Sequence, residues 1–229
     1  MPVVVAFISQ KGGVGKSTLA RALAAVAAHA KLKVKLADLD PQQRTLLVWE
    51  KARKENRVAP RIRVEAFVSA DEALAHAAED DLLILDTAGR VTDATLDLAR
   101  RVHLVVQPTG PSVDDLHPSV LVFHALTKLG IPRERLVFAL CRTLAKGEED
   151  AAREYLEAAG YEVLAGSIPE RVAYRHALNR GQALTETGES SLNKRADALM
   201  EGLLEKVGTQ LAASSQLAKS DKRKNEGAA

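Results

Sequence analysis

The sequence predicts an α/β protein of a single domain: a mostly parallel, twisted sheet of about seven or eight strands with helices on both faces. Three observations lead there. Apolar runs of strand length recur along the chain, near residues 3–8, 33–38, 62–67, 82–86, 102–107, 135–141 and 162–167. Stretches of helical periodicity separate them, and such alternation builds a parallel sheet covered on both sides. No internal repeat or linker divides the 229 residues, and 46% hydrophobic content suffices for one large core.

The first run, Val3 to Ile8, is apolar at every position, as suits a strand buried on both faces. It leads into Lys11-Gly12-Gly13-Val14-Gly15-Lys16-Ser17-Thr18 and then into an Ala/Leu-rich helix expected over 17–30. Glycines at this spacing let the backbone turn tightly enough for its N–H groups to converge on phosphate oxygens. Lys16 then brings a point charge to the β- and γ-phosphates, and Ser17 offers its hydroxyl to Mg²⁺. Nucleotide binding is thus expected at Lys11, Gly12, Gly13, Val14, Gly15, Lys16, Ser17 and Thr18.

Further helices are expected near 42–55, 70–79, 92–101, 112–129, 148–159, 170–180 and 190–212. Pro41 opens the first of these. The domain spans 1–213, and residues 214–229, which lack apolar periodicity, read as a disordered basic and polar tail. Its Lys222-Arg223-Lys224 run reads either as a solvated end or as a contact for an anionic surface.

Composition removes several functions. The net charge of +2, from 32 basic and 30 acidic residues, is far from that of a constitutive nucleic-acid binder, so any DNA contact must be local. Aromatic residues make up 3%, too few for base-stacking platforms. A single cysteine, Cys141, forbids internal disulfides and reads as core, in keeping with a reducing cytoplasm. No signal-peptide pattern and no apolar stretch of membrane-spanning length is present. The six histidines show no ligand spacing and receive no metal role.

Ligands of open α/β sheets bind beyond the carboxyl ends of strands. Three such ends stand out. Asp38-Leu39-Asp40-Pro41-Gln42 places two carboxylates on one face of a strand end, and simple helix capping is the competing reading. Leu83-Ile84-Leu85-Asp86-Thr87-Ala88-Gly89 reads as a Walker B strand, with Asp86 holding the Mg²⁺ shell and Gly89 responding to the γ-phosphate. Gln107-Pro108-Thr109-Gly110-Pro111-Ser112 leads into a helix with Asp114 and Asp115 in its first turn.

Lys11 follows Gln10, which stands where an ordinary Walker A loop has glycine. With Asp38-x-Asp40-Pro41-Gln42 and the strand-ending Asp86, this resembles the deviant Walker A ATPases of the ParA/MinD family, most of all the small ParA type, from residue 3 to about 208. The resemblance implies a P-loop NTPase fold, ATP and Mg²⁺ as cofactors, and an ATP-dependent homodimer. Lys11 would reach across the interface to the partner's phosphates. It implies catalytic roles for Lys11, Lys16 and Asp40, with Asp40 positioning the attacking water, and metal roles for Ser17, Asp38 and Asp86.

Adenine contacts would fall to Arg142, Pro169 and Glu170, although many relatives have asparagine near Arg142. The loop at 107–112 would lie at the dimer face, or be a rigid turn and cap. Many relatives also carry proline near Thr87-Ala88-Gly89. Nonspecific DNA would bind through Arg171, Arg175, Lys194 and Arg195, and a ParB-like or cargo-adaptor partner would stimulate hydrolysis. A cytoplasmic, nucleoid-associated protein without stable membrane association follows from that reading. The alternative is a MinD-like membrane-positioning ATPase. Its amphipathic helix needs bulky apolar residues beside lysines, and residues 203–218 contain no Phe or Trp.

Overall fold

The computed structural model describes residues 2–226, with side-chain surroundings as far as residue 213. Among these residues, eight strands form one sheet: β1 (Val3–Phe7), β2 (Val34–Leu39), β3 (Arg63–Ala66), β4 (Leu82–Thr87), β5 (Leu104–Thr109), β6 (Leu136–Thr143), β7 (Glu162–Val163) and β8 (Ile168–Pro169). Their order is β3-β2-β4-β1-β5-β6-β7, with β8 also on β6, and every pairing is parallel.

Eight helices cover the faces: α1 (Lys16–His29), α2 (Thr45–Glu55), α3 (Ala70–Ala75), α4 (Asp93–Arg101), α5 (Val113–Lys128), α6 (Lys146–Ala158), α7 (Val172–Asn179) and α8 (Ser190–Glu226). The period-2 alternation of β1 sends Val3, Val5 and Phe7 to one core, where Leu19, Leu23, Trp49, Tyr174 and Leu199 pack from α1, α2, α7 and α8. Val4, Ala6 and Ile8 go to the other, with Ala73, Leu98, Phe123 and Leu156 from α3 to α6. The expected single domain with a doubly covered parallel sheet is therefore present.

Three boundaries differ from the sequence reading. The helix expected from 42 begins at Thr45, because Arg44 sits at φ 47 and the Asp40 carboxylate holds the Gln42 and Gln43 N–H groups in a turn. The run near 162–167 divides into β7 and β8 because the Arg153 guanidinium takes the Leu164 and Gly166 carbonyls, each at 3.0 Å. Finally, the backbone of α8 stays helical to Glu226, where a disordered tail was expected from 214. Residues 209–226 contain neither Gly nor Pro and are rich in Ala, Leu, Gln and Lys, all compatible with helix. The expected anion contact of Lys222, Arg223 and Lys224 lies outside the described side chains, and residues 227–229 lie outside the description altogether.

A buried ion pair fastens the far end of α2. Arg53, 2% exposed, grips Glu186 with two N–H groups at 2.6 and 2.8 Å and donates to the Gly181 carbonyl at 2.9 Å. Gly181 has φ +74, and a Cβ there would run into the Arg53 backbone, so only glycine lets the α7 end approach α2 so closely. Burial pushes the Glu186 carboxyl up, but the Arg53 hydrogen bonds, the Ala183 N–H and the Arg53 charge outweigh it and leave the group below its ordinary value.

A depressed carboxyl stabilises the fold above its unfolded pKa, and that contribution disappears as pH falls below about 4.5. Glu186→Gln leaves the Arg53 charge buried without a counterion, so we expect a loss of about 3–5 kcal/mol at neutral pH. That loss should shrink toward pH 3.5. Denaturant titrations of both proteins at the two pH values measure it, and equal losses at both would remove the ion pair from the account.

Candidate functional site

The carboxyl ends of β1, β2 and β4 converge on one cavity. Gly12, Gly13, Gly15, Lys16, Ser17, Thr18, Asp40, Gln43, Thr87 and Gly89 line about 250 Å³ of it, together with Arg21 and Thr45. β1 delivers the glycine loop, and α1 starts at Lys16 with its N-terminal N–H groups free to face an anion. Gly15, at φ +115, makes the turn between them; a Cβ there would also come 3.2 Å from the Cys141 sulfur. The positive φ strains any L side chain at 15, and its Cβ would also crowd the Cys141 sulfur.

Within the cavity, charge is organised by burial. Lys16 is 8% exposed, and burial pulls its ammonium down while Asp86 and Asp40 push it back up. Asp86 lies opposite Asp38 in the β2–β4 register. Burial pushes the Asp86 carboxyl up to about 6; the Ser17 hydroxyl and Lys16 lower it, and Asp38 raises it again. Its Oδ1 has no hydrogen-bond partner. A buried carboxylate with an unused oxygen beside a serine hydroxyl is a hard-oxygen donor set, and it fits Mg²⁺.

The two aspartates after β2 do different work. Asp38, 2% exposed, accepts from the Asp40 N–H at 3.0 Å and the Leu46 N–H at 3.1 Å, so it braces the loop and the start of α2. Its expected place near the metal is thus beside Asp86, with both oxygens already bonded to backbone. Asp40 faces the cavity while its Oδ1 accepts from the Gln42 and Gln43 N–H groups at 3.1 and 3.0 Å. Asp40 thus shapes a turn ahead of α2, whose cap position is Arg44 with no side-chain cap bond, and it also lines the cavity.

Lys11 stands at the rim, 43% exposed, and its ammonium is 2.8 Å from Asp115 in the first turn of α5. Asp115 was legible only as a residue favoured at a helix start; its reach to Lys11 depends on β1 and β5 being neighbours. The turn at Gly110 lies beneath the same carboxylate.

A second cavity of about 430 Å³ continues along the loop past Gly13, Gly15 and Thr18. The expected adenine contacts Arg142, Pro169 and Glu170 all line it. Arg142 sits at φ 60 and its Nε is 3.5 Å from the Glu170 carboxylate. Cys141, read from the sequence as core, also lines this cavity, and Tyr174, Leu178 and Leu184, which were not singled out from the sequence, complete its apolar wall. Burial pushes the Cys141 thiol up to about 12, so it serves as a neutral surface rather than a nucleophile. An apolar slot ending in charged groups, continuous with a phosphate cradle, suits a nucleoside.

The four residues expected to meet DNA have different immediate surroundings. Arg171 and Arg175 line the second cavity, and Arg175 is 2.6 Å from Glu170. Arg195 lies 3.5 Å from Glu149 and 3.3 Å from the Ser167 hydroxyl. Lys194 is exposed on α8.

Comparison with known proteins follows the geometry. Residues 5–184 match the model of the CobQ/CobB/MinD/ParA nucleotide binding domain. No curated protein sequence matches the chain. Among solved structures, the septum site-determining protein MinD of Pyrococcus horikoshii, complexed with Mg-ADP, superposes with a TM-score of 0.70 at 17% identity, covering 89% of this chain and 96% of that one. A putative plasmid partition protein of Borrelia burgdorferi bound to AMPPNP gives 0.70 at 18%, covering 90% and 100%. A McdA variant from Cyanothece in complex with ATP gives 0.64 at 18%, covering 88% and 96%. At these identities the structures establish a common fold. With the family model spanning the strand, loop and carboxylates that build both cavities, the chain belongs to the CobQ/CobB/MinD/ParA nucleotide-binding family.

Proposed function

We propose that this chain is a Mg²⁺-dependent ATPase that dimerises on ATP, holds nonspecific DNA as the dimer, and thereby partitions or positions a cargo. A ParB-like or cargo-adaptor protein stimulates its hydrolysis. The observation that carries the reading is one cavity lined by Lys16, Ser17 and Asp40, with Asp86 buried against Ser17 and Lys16, and Lys11 exposed next to Gly12 of the same loop.

Ser17 and Asp86 would hold Mg²⁺, which neutralises phosphate charge when bound. Lys16 and the loop N–H groups fix the β- and γ-phosphates. Asp40, held by its own turn, orients a water toward the γ-phosphorus. The new bond forms from that oxygen, the bridging P–O bond breaks, and ADP leaves with its electron pair. Lys11, once off Asp115, is free to enter a second subunit's site. The AMPPNP-bound partition protein and the ATP-bound McdA support this assignment by likeness of fold.

Fluorescence anisotropy on two unrelated duplexes across a salt series tests the DNA arm. Dimerisation doubles the number of neutralised phosphates Z, so binding should be strong with ATP and weak with ADP, with log K falling against log salt at about −0.9Z. Lys194→Ala with Arg195→Ala should weaken both duplexes equally, because phosphate contacts carry no sequence information. Arg195, already paired with Glu149, should account for the smaller share. DNA binding that ignores nucleotide state would end the switch reading. Its absence, combined with ATP-dependent binding to anionic vesicles, would favour membrane positioning instead.

A further inference from the structure

Arg21 is a cation inside the phosphate cavity that the roles above leave unused. It lies on α1, on the same side as the start of α2, and lines the cavity together with Lys16, Ser17, Asp40 and Gln43. One guanidinium N–H donates to the Thr45 carbonyl at 2.8 Å, where the Asp40 loop becomes helix. Its carbon stands 5.7 Å from the centre of the Trp49 ring, one turn further along α2. Its buried Nε–H has no partner.

Each of these contacts has a physical consequence. The Thr45 carbonyl belongs to the first turn of α2, so pulling on it sets where the preceding segment, and with it Asp40, can lie. Burial disfavours the Arg21 charge, and the carboxylates of Asp86 and Asp38 favour it, so the metal-side acids and the α2 start act on one group. A guanidinium held against a ring face and a carbonyl is fixed in plane as well as in place. An unpartnered buried N–H is costly, a penalty that a closer approach of the Asp40–Thr45 segment would relieve.

We propose that Arg21 is a positioning residue for hydrolysis: it ties the occupied phosphate cavity to the Asp40–Thr45 segment and passes that state on to Trp49. The proposal rests on the ATPase reading for its reaction, but its conformational half stands on nucleotide binding alone.

Arg21→Met and Arg21→Lys, compared with the wild type, test it. ATP affinity of Arg21→Met should stay within about threefold of wild type, whereas kcat should fall on the order of 100-fold, the effect of a misplaced reacting group. Arg21→Lys keeps a donor for the Thr45 carbonyl but loses the planar stack, and should recover part of the rate. Trp49 is the sole tryptophan, so its emission reads the α2 start directly. Addition of Mg-ATPγS should shift wild-type emission and leave Arg21→Met unmoved.

Thermal melts show whether Arg21→Met is folded; if it is not, Arg21→Lys carries the same comparison, with reduced turnover at preserved affinity as the expected result. Turnover of Arg21→Met within threefold of wild type, or an unaltered Trp49 response, overturns the proposal. So does a loss of ATP affinity matching the loss of rate, which would make Arg21 a direct phosphate ligand. A wild type that binds ATP without hydrolysing it overturns the ATPase reading instead, and the Trp49 response then decides the role of Arg21.

Discussion

Lys16→Ala should bind ATP roughly 100-fold more weakly than wild type, while Asp40→Asn should bind it normally and hydrolyse it about 10²–10⁴-fold more slowly. The two residues share a cavity, but their surroundings separate their roles. Lys16 is a buried ammonium at the head of α1, beside loop N–H groups that already point outward. Its contacts form with the ground-state phosphates, and removing a charged hydrogen bond of about 1.5–3 kcal/mol shows in affinity.

Asp40 is held by its own turn and, on the proposed mechanism, contributes when water attacks, so its loss should show in kcat. Asparagine is the informative replacement, because its carbonyl oxygen still accepts the Gln42 and Gln43 N–H groups that shape the segment. Asp40→Ala removes that turn as well and should cost stability too. Equilibrium binding of a fluorescent ATP analogue and single-turnover hydrolysis separate the cases. Normal turnover in Asp40→Asn would take Asp40 out of the mechanism.

The second large effect is expected at Lys11. Lys11→Ala should bind ATP yet remain a monomer at concentrations where the wild type dimerises, because on the proposed mechanism the ammonium it loses acts in the partner's site. Within one subunit, Lys11 is tied to Asp115 at 2.8 Å, so dimerisation must first break that pair. With Lys11 43% exposed, the pair holds by no more than about 0.2–1 kcal/mol. Two such pairs break per dimer, so Asp115→Asn should tighten the ATP dimer by up to about 30-fold. Light scattering against protein concentration, with and without ATP, measures both variants. A Lys11→Ala protein that dimerises as readily as wild type would leave Lys11 as an ordinary rim cation. An Asp115→Asn dimer weaker than wild type would mean that Asp115 supports the interface.

Local periodicity made the sheet legible, because the central strands β1, β4 and β5 are buried along their whole length and read as near-continuous apolar runs, whereas the edge strand β3 is partly exposed. The glycine loop was legible for a related reason: its spacing is demanded by a backbone geometry that few residue types adopt. What the sequence withheld depends on contacts between distant elements. Asp115 looks like any acidic residue at a helix start until the strand order puts α5 beside the loop. Arg21 sits in a run of alanines and leucines, and nothing local says that its neighbours will be Thr45 and Trp49.

Asp38 was expected near the metal, and its two backbone bonds could be read only from the path of the loop. Tyr174 was hidden similarly: a lone aromatic at helical spacing reads as core, and it is core on one side and pocket wall on the other. The DNA residues came from the family resemblance applied to the basic positions of the late helices, and local carboxylates pair with Arg175 and Arg195.

The place of β1 in the sheet gives the molecule a stationary frame. It has a strand on each side and a core on each face, so the glycine loop at its end is mounted on the least movable part of the protein. The segment carrying Asp40, by contrast, is held by side-chain bonds to Asp38, Asp40 and Arg21. Under the proposed function, work done by a partner on the outside of this domain would reach the nucleotide as movement of that segment against a fixed anvil. One chain can keep its grip on the nucleotide constant while its timing is handed to whatever docks upon it.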